Sequence, residues 1–246
     1  MATELRRRQI LKLLEENGAV SVESLSKILF VSVATVRRDL AELEKRGALK
    51  RTFGGATPLP DTHRQVPLFI RLSMNSAAKS EICKQAAALL RDGDTVFIDG
   101  SSTAQYLVKY LTPLRDLTVV TYSIKTAELM CHSHVKTYCT GGLLMENSLV
   151  CTGREAIGFA ERVNPDICFL SCKGISFDGK LTDTSEEETE IRRAFLQNSK
   201  TRVMLMTHNK LGSTYFHTLC HARDVDYIFS DAPLPDSIQT RMERSD

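Results

Sequence analysis

The segment from Ser32 to Leu40 constrains the fold most, because it predicts an amphipathic helix that carries two adjacent arginines on its polar side. Four apolar residues recur at helical spacing and share one face for burial: Val33, Val36, Leu40 and Leu43. Ser32 suits an N-cap, because its hydroxyl accepts from a free backbone N–H, and Gly47 tolerates the positive φ that ends a helix. We therefore predict a helix from about Val33 to Arg46. The side chains left outside are those of Thr35, Arg37, Arg38 and Glu42.

Further elements in residues 1–57 surround this helix. Leu5, Ile10, Leu13 and Leu14 predict a first helix that ends at Asn17-Gly18. Ser21 opens a second helix, and residues 48–53 with Gly54-Gly55 predict a strand and the turn of a hairpin. Two helices joined by a tight turn and followed by a hairpin form a winged helix-turn-helix.

Charge is distributed unevenly along the chain. Residues 1–57 carry 11 Lys and Arg against 7 Asp and Glu, whereas residues 58–246 carry 21 against 23. Positive charge concentrated on a small helical unit suits the binding of a polyanion, although a charged run is more often a solvated face. The charge therefore supports a DNA-binding front domain without establishing it.

The geometry of DNA indicates which residues of this domain make contacts. An α-helix fits the major groove, and side chains near its N-terminus reach base edges or flanking phosphates. We predict such contacts for Ser32, Thr35, Arg37 and Arg38, and the sequence leaves open which arginine reads a base. Contacts to the DNA backbone are predicted for Arg6, Arg7, Arg8, Lys50 and Arg51. Phosphate would repel Asp39, so we expect it to orient a neighbouring arginine.

Composition excludes several classes of protein. The 42% hydrophobic and 25% charged residues are ordinary for a globular chain, and no apolar run approaches the ~20 residues that cross a bilayer. We expect a cytoplasmic protein with no membrane contact.

The 7 cysteines contain no Cys-x-x-Cys pair and are expected to be buried thiols. His217 and His221 stand at helical spacing, but with no third ligand they predict a surface helix rather than a zinc site. We expect no metal and no cofactor.

A second domain follows a connector that is placed at residues 58–70. It is predicted to span 71–235 and to leave a polar tail at 236–246. Short apolar runs alternate with helical patterns, which favours an α/β fold with a mainly parallel, Rossmann-like sheet. Strands are predicted at 95–98, 117–121, 135–139, 167–171, 203–207 and 227–229, and helices at 79–90, 104–111, 125–130, 156–161 and 187–199.

The loops that follow these strands share one chemistry. In parallel sheets a ligand lies beyond the carboxyl ends of the strands, where small hydroxyls, glycine N–H groups and helix N-termini hold anions. Together with two lysines, these groups suit a small phosphorylated polyol. The predicted effector-binding residues are Asp99, Ser101, Ser102, Thr103, Thr121, Ser123, Gly141, Gly142, Lys173, Gly174 and Lys210.

On these residues the chain resembles the DeoR family of bacterial sugar-metabolism regulators. The front motif is carried by Arg6, Ile10, Leu14, Ser32 and the run from Thr35 to Leu40. In the back domain the resemblance rests on residues that include Lys79, Asp99, Gly153, Glu188, Arg193 and Lys210. The chain departs from the family pattern at Ser101, where many members have Gly. The resemblance implies a sensor domain similar in fold to ribose-5-phosphate isomerase. It also implies a homo-oligomer, a dimer or a tetramer.

Three functions from different classes are compatible with these patterns. We predict a transcriptional regulator, a repressor whose affinity for operator DNA is modulated by a phosphorylated sugar. The alternative is an isomerase-like enzyme with a DNA-binding appendage. It is disfavoured because residues 171–177 contain no carboxylate base and the charged Lys173 cannot abstract a proton. The acidic run Glu186-Glu187-Glu188 with Glu190 could conceal a base, but acidic residues are common where a helix begins. The third function, an architectural DNA binder, would not need the phosphate-suited loops.

Overall fold

The computed structural model describes residues 2–58, 66–238 and 240, except for the side chains of residues 2, 8 and 15. The chain divides into two compact units, Met1–Ser76 and Ala77–Asp246. The connector expected at 58–70 lies partly outside the described residues, and its last residues belong to a helix of the first unit. The domain boundaries drawn from the sequence therefore stay predictions.

The first unit is a winged helix-turn-helix. Its elements are α1 (Ala2–Asn17), β1 (Val20–Ser21), α2 (Val22–Ile28), α3 (Val33–Lys45), β2 (Lys50–Thr52), β3 (Gly55–Thr57) and α4 (Leu68–Ser73). The strands pair antiparallel in the order β1-β3-β2. Helix α3 starts at its predicted first residue and ends one residue before its predicted end. The prediction is this close because the apolar stripe and both end signals lie within or beside the helix itself.

Burial in this unit follows the predicted stripe with one exception. Val36, Leu40 and Leu43 are fully buried, whereas Val33 is 36% exposed, contrary to prediction. Val33 is the first residue of α3, so the apolar stripe reaches the end of the helix there. Helix α4 extends the same core beyond the hairpin, since Ile70 is buried with the residues of α1 and α3.

The second unit is an α/β domain. Its helices are α5 (Ser76–Ala86), α6 (Val108–Leu111), α7 (Ile124–Met130), α8 (Arg154–Ala160) and α9 (Glu186–Asn198). Its strands are β4 (Thr95–Ile98), β5 (Thr118–Thr121), β6 (Lys136–Cys139), β7 (Leu143–Met145), β8 (Val150–Thr152), β9 (Ile167–Leu170), β10 (Gly174–Ile175), β11 (Lys180–Asp183), β12 (Thr201–Met206), β13 (His217–His221) and β14 (Tyr227–Ser230). Short 3-10 helices cover Ala87–Leu89, Ala104–Leu107, His208–Lys210 and Ala222–Asp224.

A parallel sheet forms the centre of this unit. Within the described residues the strand order is β14-β12-β9-β4-β5-β6, and every neighbouring pair is parallel. Two apolar clusters lie against the sheet: Phe97 and Met204 belong to one, and Ile98 and Leu205 to the other. Because adjacent residues of a strand point to opposite faces, both faces of the sheet are buried. The predicted α/β fold with a mainly parallel sheet is confirmed.

Two features near the end of the chain differ from expectation. His217 and His221 lie on strand β13, which pairs antiparallel with β11, so the predicted surface helix is wrong. The i, i+4 spacing of the two histidines suggested a helix. The segment is a strand because it pairs with β11, which is distant in sequence, and local periodicity does not indicate such pairing. Ile238 is only 5% exposed and belongs to the sensor core, although it falls in the segment expected to be a polar tail.

The cysteines are mixed in their exposure. Cys83, Cys151, Cys168 and Cys172 are buried as expected, whereas Cys131 and Cys139 are exposed. No group of three or more metal-ligating side chains occurs among the described residues. Over the same residues, no helix combines the length and the apolar character needed to cross a bilayer.

Candidate DNA interface and effector site

The N-terminus of α3 presents the residues that were predicted to contact DNA. The Ser32 hydroxyl accepts from the Thr35 N–H at 3.2 Å and lies 3.0 Å from the Thr35 hydroxyl. Arg37 and Arg38 follow within the next turn, and both side chains are exposed. The cap therefore fixes the start of the helix, and the two guanidinium groups project from its solvent side.

Asp39 does orient neighbouring arginines, but these arginines lie on α1. Its carboxylate is 3% exposed and accepts from Arg6 Nε at 2.5 Å and from Arg7 Nε at 3.1 Å. The hydrogen bond to Asp39 raises the pKa of Arg6 and outweighs the effect of its desolvation. Arg6 and Arg7 thus hold α1 against α3, and the DNA contacts predicted for them stay predictions. The side chain of Arg8, also predicted to contact DNA, lies outside the described residues.

The wing is built on a close backbone approach. The Val22 N–H donates to the Gly54 carbonyl at 2.8 Å. A Cβ atom on Gly55 would lie 1.9 Å from the Val20 carbonyl oxygen, so only glycine fits there. Lys50 and Arg51 are exposed on β2, and the Arg51 N–H donates to Glu44 Oε1 at 2.9 Å. The predicted basic residues of the wing are therefore presented to solvent on an anchored hairpin.

In the second unit, Asp99 joins two of the predicted effector loops. Its Oδ1 accepts from the Ser101 N–H at 2.9 Å and its Oδ2 from the Ser171 N–H at 2.8 Å. These loops follow β4 and β9, which are neighbours in the sheet. The Asp99 side chain is fully buried. It therefore positions the two loops, and it presents no surface to a ligand in this state.

Two lysines lie against hydroxyls at the same edge of the sheet. Lys79 Nζ donates to Ser102 Oγ at 3.1 Å, and Lys210 Nζ donates to Ser171 Oγ at 2.8 Å. Lys79 is 5% exposed, whereas Lys210 is half-buried. A third cation, the half-buried Lys173, lies 4.5 Å from the centroid of the Tyr215 ring. The structure thus brings positive charge to the carboxyl edge of the sheet, as the sequence predicted.

Several of the predicted hydroxyl groups shape the loops. Three accept backbone hydrogen bonds: Ser101 Oγ from Ala104 N–H at 3.0 Å, Thr121 Oγ1 from Ser123 N–H at 3.0 Å, and Ser123 Oγ from Thr126 N–H at 3.1 Å. Thr103 differs, because its buried Oγ1 has no hydrogen-bond partner among the described residues. A buried hydroxyl without a partner costs free energy, so the Thr103 hydroxyl is an unsatisfied polar group in this loop.

The glycines of these loops fall into two groups. Gly141 and Gly142 are exposed with φ of 68° and 113°, a conformation that favours glycine. A Cβ atom on Gly142 would also lie 2.4 Å from the Thr152 carbonyl oxygen. Gly174 is buried, and a Cβ atom there would lie 2.5 Å from the Ser213 carbonyl oxygen. Gly142 and Gly174 therefore serve close packing, whereas Gly141 has open space around it and only its positive φ favours glycine.

A buried ion network that was not predicted from the sequence lies beneath these loops. Arg192 contacts Asp183 and Glu188 at 2.7 Å each and Asp99 at 3.3 Å. Its Nε also donates to the Tyr122 hydroxyl at 3.0 Å. The available signal was the position of Glu188 and Arg192 on the apolar face of α9, beside Ile191 and Phe195. The acidic run was instead attributed to the helix N-terminus.

Protonation of this network argues against acid–base catalysis. Burial raises the pKa of Asp183, but the Arg192 charge and the Thr184 N–H outweigh it and leave that pKa below its ordinary value. Burial also raises the pKa of Tyr122 well above its ordinary value. Asp183 is therefore a weakened base, and Glu188 is held by Arg192 at 2.7 Å. Asp99, Asp183 and Glu188 are therefore all committed to ion pairs with Arg192.

A winged helix-turn-helix followed by a parallel α/β domain with an anion-suited edge defines a DNA-binding transcriptional regulator. Residues 6–61 match the DeoR-like helix-turn-helix domain, and residues 74–232 match the DeoR C terminal sensor domain. The chain belongs to the DeoR family. The resemblance noted from the sequence is thereby confirmed.

Similar proteins carry names of regulators. The chain is 34% identical to the HTH-type transcriptional regulator GolR of Listeria innocua, over 92% of this chain and 89% of the relative. It is 34% identical to the HTH-type transcriptional repressor GlcR of Bacillus subtilis, over 94% and 89%. It is 29% identical to the glycerol-3-phosphate regulon repressor of Escherichia coli, over 95% and 92%. These relatives are named regulators and not enzymes, in agreement with the expectation that the chain is not an enzyme.

Among solved structures, ribose 5-phosphate isomerase A of Methanocaldococcus jannaschii aligns with a TM-score of 0.42 and 16% identity. The alignment covers 56% of this chain and 55% of the isomerase.

Proposed function

We propose that the protein is a repressor of sugar-metabolism genes whose affinity for operator DNA changes when the sensor domain binds a small phosphorylated sugar. The observation that carries the proposal is the Lys210–Ser171 contact of 2.8 Å, which lies at the carboxyl edge of the sheet where the neighbouring strands β9 and β12 end. Relatives named a glycerol-3-phosphate regulon repressor and a transcriptional repressor GlcR support this direction of control. Because the proposed partner is operator DNA, the proposal places the protein in the cytoplasm.

On the DNA side, the residues of α3 and those of the wing contact different parts of the operator. Thr35, Arg37 and Arg38 enter the major groove, where an arginine bidentate to guanine contributes ~1–3 kcal/mol of discrimination. Lys50 and Arg51 bind phosphates, which adds affinity that depends strongly on salt. Ser32 supports these contacts by capping α3.

On the effector side, Lys210 and Lys173 are the cations that hold the phosphate, since both are half-buried and not closed off from solvent. Gly141 and Gly142, in the exposed loop after β6, offer N–H groups to another part of the effector, because three strands separate β6 from β12. The buried Lys79 acts through Ser102 by fixing the loop after β4. Asp99, Thr121 and Ser123 keep the loops in place, as their backbone hydrogen bonds indicate.

Coupling between the two units requires that the effector bind the DNA-competent and DNA-incompetent states with different affinity. A coupling of ~1–3 kcal/mol changes occupancy by about 5- to 150-fold. We propose that the protein acts as a dimer or tetramer, because helix-turn-helix proteins commonly read two half-sites with two copies of the reading helix.

The test is an operator titration followed by fluorescence anisotropy, repeated with hexose, pentose and triose phosphates and with the unphosphorylated sugars. One phosphorylated compound is expected to change operator affinity and to raise the melting temperature of the sensor. If no compound changes either quantity, the proposal is overturned.

Matched variants at the two ends of β12 locate the effector. Lys210→Ala removes the cation after the strand and should abolish the response while operator binding persists. Lys200→Ala removes the cation before the strand, where Lys200 lies 2.7 Å from Asp166, and should leave the response unchanged. Ser102→Ala should behave like Lys210→Ala. Equal responses in Lys210→Ala and Lys200→Ala would contradict the assignment.

A further inference from the structure

An aromatic side chain stands at the tip of the wing. Phe53 lies in the turn between β2 and β3, and its exposure is 112% of the reference value for the residue. The base of the same hairpin is buried, since Leu49 and Ala56 are each 1% exposed. A large apolar ring thus stands in full contact with water at the tip of a hairpin whose base is packed.

The wing holds this ring on a rigid support. Val22 N–H donates to the Gly54 carbonyl at 2.8 Å, immediately beside Phe53. Gly55 packs directly on the backbone of β1, where no side chain would fit. The turn is therefore tied at its own residues, so binding through Phe53 orders little additional backbone.

The surroundings of the ring select a polyanion as the partner. Lys50 and Arg51 precede it on β2 with both side chains exposed, and the unit carries the excess positive charge of the chain. A phenyl ring has no donor or acceptor with which to read the hydrogen-bond code of the major groove. Apolar side chains on DNA-binding proteins act instead as wedges that enter the minor groove and unstack a base step.

We propose that Phe53 is such a wedge: the wing places its ring in the minor groove next to the major groove that α3 reads, while Lys50 and Arg51 hold the adjacent phosphates. The ring then contributes affinity and bends the operator. It favours sites with a flexible pyrimidine–purine step under the wing, because such steps are the easiest to unstack. This role requires DNA binding by the first unit and is independent of the effector.

The chain contains no tryptophan, which permits a direct test. Phe53→Trp introduces a single fluorophore at the wing tip, and Phe216→Trp introduces one at an 85% exposed position of the second unit as the matched control. The full-length variants are titrated with a duplex that the wild-type protein has selected from a random-sequence pool. Emission from the Phe53→Trp variant should be quenched by stacking on the bases, and emission from the control should stay unchanged.

Phe53→Ala measures the contribution of the ring. We expect operator binding to weaken about tenfold, equivalent to about 1.4 kcal/mol, and the bend measured by end-to-end energy transfer in labelled duplexes to decrease. Circular dichroism melts of the variant should match those of the wild type, because an exposed side chain contributes little to folding.

The alternative occupant is a second protein surface. In that case the Phe53→Trp emission would already be blue-shifted and protected from acrylamide in the absence of DNA, and the proposal would be overturned. It would equally be overturned if DNA quenched both tryptophan variants alike. Unchanged affinity and bend in Phe53→Ala would have the same consequence.

Discussion

Replacing Asp39 by Asn tests the tie between α1 and α3. The change keeps the size of the side chain and removes the charge that accepts from Arg6 at 2.5 Å and from Arg7 at 3.1 Å. Hydrogen bonds to charged groups contribute ~1.5–3 kcal/mol, and breaking a fully buried pair costs ~3–5 kcal/mol. The two guanidinium groups are 19% and 16% exposed and thus partly solvated, so the lower range applies. We expect Asp39→Asn to lower the free energy of unfolding of the first unit by about 2 kcal/mol.

Hydrogen exchange read by mass spectrometry separates this effect from the stability of the second unit. A loss of about 2 kcal/mol should reduce amide protection in α1 and α3 by about 30-fold, while peptides of the central sheet keep theirs. Glu42→Gln is the matched control, because it removes a carboxylate from the same helix where the pair with Arg46 lies at the surface. If Asp39→Asn leaves protection in α1 and α3 at the level of Glu42→Gln, the carboxylate does not tie the two helices and its assigned role is refuted.

Three further predictions concern a cap, a titration and a thiol. Ser32→Ala should lower the stability of the first unit by about 1 kcal/mol, measured by exchange of the first α3 amides, and Ser32→Asp should retain the cap. Because the pKa of Asp183 is lowered in the folded state, its stabilising contribution is present above the unfolded value of about 3.9 and is lost as the pH falls through the folded value. Urea melts of Asp183→Asn in acid should therefore show a weaker pH dependence than the wild type. Burial raises the pKa of the Cys172 thiol to about 11, so iodoacetamide should alkylate the exposed Cys131 in the native protein and Cys172 only after unfolding, as peptide mapping would report.

The sequence predicts the first unit well wherever the determining signals are local. The start of α3 depends on Ser32 and its end on Gly47, and both residues lie within or beside the helix itself. The ion pairs of Asp39 depend on α1, more than 30 positions away, with hydrogen bonds to Arg6 and Arg7. Sequence spacing indicated that Asp39 would orient an arginine, but it could not identify the partner, because the packing of two helices decides it.

In the second unit, the sequence predicted the six strands of the central sheet and the edge where their loops converge, because short apolar runs are typical of buried parallel strands. It did not predict the strands outside that sheet, which are β7, β8, β10, β11 and β13. It missed the network around Arg192, whose partners come from β11, from the loop after β4 and from α9 itself. It also assigned His217–His221 to a helix, since the pairing of β13 with β11 leaves no local trace. Both failures concern contacts between distant segments, which periodicity does not encode.

The hydrogen bonds of Asp99 carry a consequence for any attempt to change what the sensor recognises. The Asp99 carboxylate accepts from the backbone N–H groups of Ser101 and Ser171, so it connects the loop after β4 with the loop after β9. Grafting only one of these two loops from a relative would leave one of the two hydrogen bonds of Asp99 without its matching loop. Changing the effector specificity of this protein therefore requires that the loops after β4 and β9 be exchanged together.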